Sequence, residues 1–365
     1  MDKDISSKLN IEGRLHKLRN RLESSGCEAL LVTSLTNIFY LSGFTGSAGL
    51  LWVDKSKALL MVDGRYGEQA LEEVIKSGAM VEVQMVGSKQ VEKLKALSSN
   101  TKKVGLEALS VTWSRKRNLT TAFENSEVIF TEGVIEDLRQ IKDEGELALM
   151  KTAASIADRA LAEVWPMLEE GSTEKEISKA LDETMIKFGA SGTAFETIVA
   201  AGPNSSRPHA TPGDRSLLHG DLVVCDFGAM YEGYRSDMTR SKRVGGTGSG
   251  KPAEMLEVVL AAQEAGLNKV CEGVPNAEVD AACREVLAEA GLAEAFTHGT
   301  GHGVGLDIHE APSVSGATTD TLRSGQVVTV EPGVYLAGVG GVRWEDTVFV
   351  TESGCDILTQ SPKTI

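Results

Sequence analysis

The sequence predicts two α/β-class domains in one chain: an N-terminal α/β domain over residues 1–133, then an α+β domain over 134–365 built from two related halves. Three observations point there. The chain has 365 residues, 41% hydrophobic and 24% charged, a globular composition with length for about two domains. Its first third alternates short apolar runs with stretches of helical period. Further on, residues 169–190 align without gaps on residues 271–292, an offset of 102 that matches Glu170/Glu272, Gly171/Gly273, Glu176/Glu278, Ala180/Ala282, Glu183/Glu285 and Gly189/Gly291. Such self-similarity predicts a repeated unit, with a shared site between its copies.

The elements follow in order. Glu12–Leu22 reads as a helix with Leu15, Leu18 and Leu22 on one face. Ala29–Val32 is a short buried strand. Leu50–Val53 and Ala58–Val62 form a hairpin across the polar Asp54–Lys57 turn. Tyr66–Lys76 is helical, and Val81–Val86 and Val104–Leu106 are strands. Val134–Glu144 is a charged, short helical connector. A long amphipathic helix then places Leu147, Met150, Ala154, Ala157, Leu161 and Val164 on one face and nears its end at Pro166. Thr173 and Glu176 make a capping box that opens a second helix, to about Phe188.

Charge and cysteine usage narrow the function classes. The net charge is −15, and it is uneven: residues 1–135 carry 18 Lys+Arg against 16 Asp+Glu, the rest 19 against 36. An acidic C-terminal part argues against nucleic-acid binding and serves solubility or metal ligation. No apolar run approaches the roughly 18 residues of a membrane span. The N-terminus MDKDISSKLN lacks an apolar signal core, so a cytoplasmic location is expected. The five cysteines are scattered and contain no CxxC pair, which speaks against a disulfide framework or a thiolate zinc site.

The chemistry-bearing residues lie in the second domain. His16, on a surface helix, and His219, in the turn LLHGD, read as structural. FTHGTGHGVGLDIHEAP (296–312) differs, because it sets His298, His302 and His309 among interleaved glycines. These rule against a helical zinc pair and let backbone approach closely. Four carboxylates sit in or beside apolar runs: Asp226 in LVVCDFG, Asp237 in a second strand eleven residues on, Glu331 after QVVTV, and Glu345 before TVFV. A hairpin brings the two aspartates side by side. A charge so placed costs several kcal/mol unless paired or metal-bound. Each alone fits a strand end; the four with a nearby histidine predict a carboxylate-rich metal site. Two Asp, two Glu and one His suffice for two hard divalent ions, which about 3.5–4 Å apart can activate a water between them.

The ordered set Asp226, Asp237, His302, Glu331, Glu345 resembles the five dimetal ligands of the pita-bread metallopeptidases, the family of methionine aminopeptidase, aminopeptidase P and prolidase. GLDIHEAP, VEPGVY and GVRWEDT are similar to motifs of its proline-specific branch. NIFYLSGFTGSAGLL (37–51) and MVDGRYGEQA (61–70) resemble the creatinase-type N-terminal domain of Xaa-Pro peptidases, which methionine aminopeptidases lack. The resemblance implies a creatinase-like α/β domain (1–133) ahead of a pita-bread catalytic domain with a pseudo-two-fold repeat (134–365).

It also implies roles. His209, in RPHA, matches the histidine near the scissile bond. His309 matches the one that helps polarise the carbonyl or stabilise the tetrahedral intermediate, and His298 lines the site in the proline-specific branch. Arg343 matches a basic residue hydrogen-bonded around the metals, and Glu331, besides ligating, passes a proton to the leaving prolyl nitrogen. SSRPH departs from the family pattern at Arg207, where many relatives carry an apolar residue, and this puts the pocket's polarity in doubt.

The implied activity is that of an Xaa-Pro aminopeptidase, a dinuclear metalloenzyme releasing the first residue from peptides with proline second. The lean rests on GFTGSAGLL, which looks more like short bacterial aminopeptidases P. The alternative is an Xaa-Pro dipeptidase, prolidase, which shares every motif quoted. Retention of all five ligands argues against a non-catalytic binding protein and against a metal-independent creatinase-like hydrolase. The implied cofactors are two divalent ions, Mn2+ first, with Co2+, Fe2+ or Zn2+ as alternatives. The implied partners are a proline-containing peptide and a second copy in a homodimer, with neither nucleic acid nor membrane.

Overall fold

In the computed structural model, which describes residues 9–364, the chain divides into two units between Arg139 and Gln140. In the first, helix α1 (Ile11–Leu22) starts where the Asn10 side chain accepts from the Gly13 N–H, and it buries Leu15, Leu18 and Leu22 as its period requires. Strand β1 (Ala29–Val32) leads to α2 (Leu35–Ser42), capped by Ser34 and stopped by left-handed Gly43 at φ 76°. Strands β2 (Leu50–Asp54) and β3 (Ala58–Val62) pair antiparallel. Asp54 Oδ1 closes their turn by accepting from the Ser56 and Lys57 N–H groups. The unit continues through α3 (Gly67–Ser77), β4 (Glu82–Met85), α4 (Gln90–Ser98), β5 (Lys103–Glu107), α5 (Trp113–Thr120) and β6 (Glu127–Thr131). One mixed sheet, ordered β4-β3-β2-β1-β5-β6, holds it together around buried Leu31, Trp52, Met61 and Leu106. The short helix α6 (Glu136–Arg139) belongs to it as well. Asn37 Nδ2 donates to Glu136 and Arg139 Nη1 donates to Asn37 Oδ1, which carries this unit six residues past the expected break at 133.

In the second unit, α7 (Glu144–Val164) begins at a capping box of Asp143 with Glu146. Its buried face is wider than the expected stripe: Leu149, Ala153, Ile156 and Ala160 join it, and Leu147 is only half-buried. Helix α8 (Glu174–Lys187) opens on the Thr173/Glu176 box. Then come β7 (Gly192–Thr193), β8 (Ile198–Ala201), β9 (Leu222–Phe227), β10 (Ala229–Tyr231), β11 (Tyr234–Arg235) and β12 (Met238–Arg243). Helices α9 (Lys251–Leu267) and α10 (Asn276–Glu289) precede β13 (Gly301–Gly303), β14 (Glu310–Val314), β15 (Val327–Val330), β16 (Gly333–Leu336), β17 (Gly340–Arg343), β18 (Asp346–Thr351) and β19 (Gly354–Ile357).

The repeat is visible in the helices: α8 and α10 each have 14 residues and start 102 apart. Helix α7 packs on α8, and α9 on α10. In the first half, whose main sheet is β12-β9-β8, α8 packs on β8 and α7 on β10 and β11; in the second, whose main sheet is β14-β13-β15-β18-β19, α10 packs on β14 and α9 on β15, β16 and β17. Each half also has its own core, one around Leu181 and Phe227, the other around Val259 and Trp344. Among the described residues no helix is long and apolar enough to cross a membrane.

Candidate metal centre and active site

The carboxylates stand where apolar strands end. Strands β9 and β12 pair antiparallel with Thr239 opposite Asp226, so Asp237, one residue before β12, lies close to Asp226 as a hairpin demands. The connection is more than a turn, because β10 and β11 fold out within it. Strand β15 pairs with β18 so that Val330 faces Asp346, which leaves Glu331 and Glu345 at one end of adjoining strands. His302 sits in β13, whose Gly303 pairs with Val328 of β15. A Cβ at Gly301 would strike the Thr329 carbonyl, and one at Gly303 the Ala311 carbonyl. The glycines therefore let β13 press onto neighbouring backbone, and His302 is held between them.

A cavity of about 510 Å³ collects these side chains. Its lining includes Asp226, Asp237, His302, Glu331 and Glu345, and also His209, His298, His309 and Arg343. Ligand atoms of Asp237, His302 and Glu345 all lie within 4.8 Å of one another. His302 Nε2 is 3.4 Å from Glu331 and 3.6 Å from Asp237. Asp226 Oδ2 accepts from Arg343 Nη2 at 2.5 Å, whereas its Oδ1 is buried with no hydrogen-bond partner.

The donor set fits divalent cations on three counts. His302 Nδ1 lies 3.0 Å from the Gly303 carbonyl, which only accepts, so Nδ1 carries the hydrogen and the Nε2 lone pair faces carboxylates. That lone pair among carboxyl groups, with the orphan Asp226 Oδ1, suits a positive centre. The donors are hard oxygens with one imidazole, the set that hard divalent ions take. Burial, reinforced by neighbouring carboxylates, also pushes Asp237 and Glu345 well above the usual carboxyl range and Glu331 up to about 8. Negative charge so crowded is relieved by cations.

Around this group the other predicted residues are held in specific ways. Arg343 is 3% exposed and donates to Asp226, to Thr239 Oγ1 at 3.0 Å and to Tyr335 Oη at 2.7 Å. His298 Nε2 is 2.9 Å from Tyr335 Oη, and its Nδ1 is 2.8 Å from the Gly299 carbonyl. Hydrogen bonds thus run one way, Arg343 to Tyr335 to His298 to Gly299, and fix the imidazole's tautomer. Burial lowers the His298 pKa to about 4, and it also lowers those of His302 and His309. His309 stacks edge-on to His302, ring centroids 4.3 Å apart.

Some expectations fall elsewhere. Arg207 is exposed and outside the cavity lining, so it does not set the pocket's polarity. His16 and His219 are exposed and also outside the lining. Sequence reasoning missed Thr239, which donates to Glu345 Oε2 at 2.6 Å, and Tyr335. It also missed the wall Phe195–Ile198. A signal for Tyr335 existed: it closes the VEPGVY segment that begins beside Glu331.

Known proteins compare as follows. Residues 148–352 match the model of metallopeptidase family M24, and residues 14–141 that of the creatinase/prolidase N-terminal domain. An Xaa-Pro dipeptidase of Pyrococcus furiosus is 34% identical over 96% of this chain and 98% of its own. The structure of an Xaa-Pro dipeptidase from Bacillus anthracis superposes with a TM-score of 0.92 at 37% identity, covering 98% of this chain and 99% of that one. That of an X-Pro aminopeptidase from Thermotoga maritima gives 0.86 at 37% identity, covering 94% and 98%.

Proposed function

The chain belongs to metallopeptidase family M24, and from that premise we propose that it is an Xaa-Pro dipeptidase. The reading is supported by Xaa-Pro dipeptidases similar to this chain from end to end. It replaces the lean toward an aminopeptidase, which rested on one N-terminal segment. The aminopeptidase stays as a second reading, favoured by the Thermotoga maritima structure. The observation that carries peptidase chemistry is the His302 Nε2 lone pair facing Asp237 and Glu331.

Asp226, Asp237, His302, Glu331 and Glu345 would hold two divalent ions, which supply a Lewis acid for the scissile carbonyl and an activated water. The chain's own groups do the rest. Glu331 takes a proton and delivers it to the leaving prolyl nitrogen. His309, neutral because burial lowers its pKa, donates an N–H to the oxygen that gains charge. His209 completes the wall beside the scissile bond. His298, both ring nitrogens engaged, is a fixed wall. Arg343 orients Asp226 and Thr239, and through Thr239 it orients Glu345.

Within this reading the ions are manganese, which suits the oxygen-rich donors. The enzyme is a homodimer, as the family resemblance suggests, and works in the cytoplasm, where its five free cysteines fit a reducing environment. Metal analysis of enzyme from cells grown without added metal and sedimentation of the pure protein test the first two. Substrate length tests the activity. With Mn2+, Ala-Pro should show a higher kcat/KM than Ala-Pro-Ala or a pentapeptide, where tenfold is about 1.4 kcal/mol of transition-state binding. A preference for the longer peptides would make the enzyme an aminopeptidase.

A further inference from the structure

Two buried carboxylates on the repeated helices reach the loops that carry the active-site histidines. In the first half Glu174 opens α8 and is 1% exposed. Its Oε1 accepts from the Ala201 N–H at 2.7 Å, and its Oε2 from the Gly213 N–H at 2.7 Å and Asn204 Nδ2 at 2.9 Å. These donors bracket residues 201–213, which bring Pro208, His209 and Thr211 to the cavity wall. In the second half Asp280, in α10, is 2% exposed. Its Oδ1 accepts from Thr300 Oγ1 at 2.8 Å and its Oδ2 from the Gly316 N–H at 3.0 Å. These bracket residues 300–316, which carry His302 and His309.

The likeness extends to detail. Each loop ends on a glycine, and a Cβ added at Gly213 or Gly316 would stand 3.2 Å from the carboxylate oxygen its N–H reaches. A bare backbone there allows the close approach. Arg284, one turn beyond Asp280, donates to it at 2.7 Å and to the His298 carbonyl at 2.6 Å. Neither carboxylate lines the cavity.

We propose that Glu174 and Asp280 are positioning residues: each half of the repeat fixes both ends of its active-site loop with one buried carboxylate, so that α8 sets His209 and α10 sets His302 and His309. A carboxylate that accepts several N–H groups makes charge-assisted bonds. A neutral amide cannot replace it, because its NH2 would face donors and leave them unsatisfied.

The functional arm of the test rests on the peptidase reading above; the structural arm does not. Glu174→Gln is assayed on Ala-Pro with Mn2+, alone and in the His209→Ala background, with metal content and hydrogen exchange measured alongside. The expected kcat loss is on the order of 10- to 100-fold at parental metal content. In the His209→Ala background the same change should cost less than about twofold, because the clamp acts through that loop. Exchange should quicken over 201–213, and in Asp280→Asn over 300–316. Parental exchange in these segments, or equal kcat losses in both backgrounds, overturns the proposal. If Glu174→Gln does not fold, Asn204→Ala removes one strut and should show a smaller loss with the same non-additivity. A parent inactive on every Xaa-Pro peptide, with exchange still localised to the loops, upholds the clamps and sinks the peptidase reading.

Discussion

Removing metal should make this enzyme lose stability as the pH rises, opposite to the usual response of a carboxylate-rich protein. Burial holds Glu331 protonated up to about 8, against 4.5 for a free glutamate, and raises Asp237 and Glu345 as well. Below pH 4.5 the folded and unfolded chains both keep the Glu331 proton, so stability is full. As the pH rises toward 8 the unfolded chain ionises freely while the folded one resists, and stability falls. The histidines oppose this at lower pH. His298, lowered to about 4 from 6.5, and His302 and His309, lowered too, cost stability as the pH falls through 6.5. The two trends overlap between pH 6.5 and 8, because histidines in the unfolded chain are still half charged at 6.5. There Glu331 removes about 2 kcal/mol at about 1.4 kcal/mol per pH unit, Asp237 and Glu345 add to the loss, and the histidines return up to about 1 kcal/mol. For a unit the size of the catalytic one, a net loss of about 1 kcal/mol or more is a fall in Tm of at least about 2–4 °C. Scanning calorimetry on chelated enzyme at pH 6.5, 7.2 and 8 measures it, with Mn2+-loaded enzyme as the control. A chelated Tm that stays flat or climbs over this window refutes the claim that the carboxylates are crowded together in a dry site.

Other perturbations separate the roles. Asp237→Ala should retain fewer ions than the parent by elemental analysis and lose most activity, because one ligand holds the pair together; full activity in chelator refutes a metal site. His309→Ala should keep its metals and lose on the order of 100-fold or more in kcat, whereas exposed His219→Ala stays near the parent; the reverse ranking in steady-state assays would reverse the assignments. Lys142 and Glu310 form a 2.7 Å ion pair with side chains 1% and 8% exposed. Lys142→Met should lower stability in urea unfolding by removing the cation beside a nearly buried carboxylate, and adding Glu310→Gln should recover part of the loss. A loss below about 1 kcal/mol would show the pair to be solvated.

What was legible depended on how far a signal reaches along the chain. The β2–β3 hairpin, α8 with its capping box and the 102-residue repeat all rest on residues a few positions apart or on a fixed offset. Helices α2, α4 and α5, of eight or nine residues, show too few turns for a period to emerge. Strands β10 and β11, three and two residues long, are invisible for the same reason. The four proposed carboxylate ligands stood out because a carboxylate beside a buried strand breaks the burial rule and so asks for a partner, and His302 stood out among its glycines. Arg207 was misjudged from its neighbours Pro208 and His209: adjacency in sequence did not bring it into the cavity. Thr239, Glu174 and Asp280 carried no such warning, since their value lies in bonds to residues distant in sequence. Thr239 reaches Glu345 across 106 positions.

The division of the site between the two halves has an energetic consequence. Asp226 and Asp237 come from the first sheet; His302, Glu331 and Glu345 come from the second half. The halves are knit where those residues lie: Thr239 Oγ1 donates to Glu345, the Glu345 N–H donates to the Thr239 carbonyl, and Ser241 Oγ donates to the Arg343 carbonyl. Arg240, just behind, reaches the Glu345 carbonyl and pairs with Asp346, both side chains fully buried. Polar and charged groups at a buried seam add little net stability by themselves, since desolvation offsets most of their attraction. A cation bound by ligands from both halves adds its binding free energy to the folded state alone. Ions held by the proposed ligands of both halves would therefore strengthen the seam, on top of the apolar packing that Leu222 of the first half makes in the second half's core.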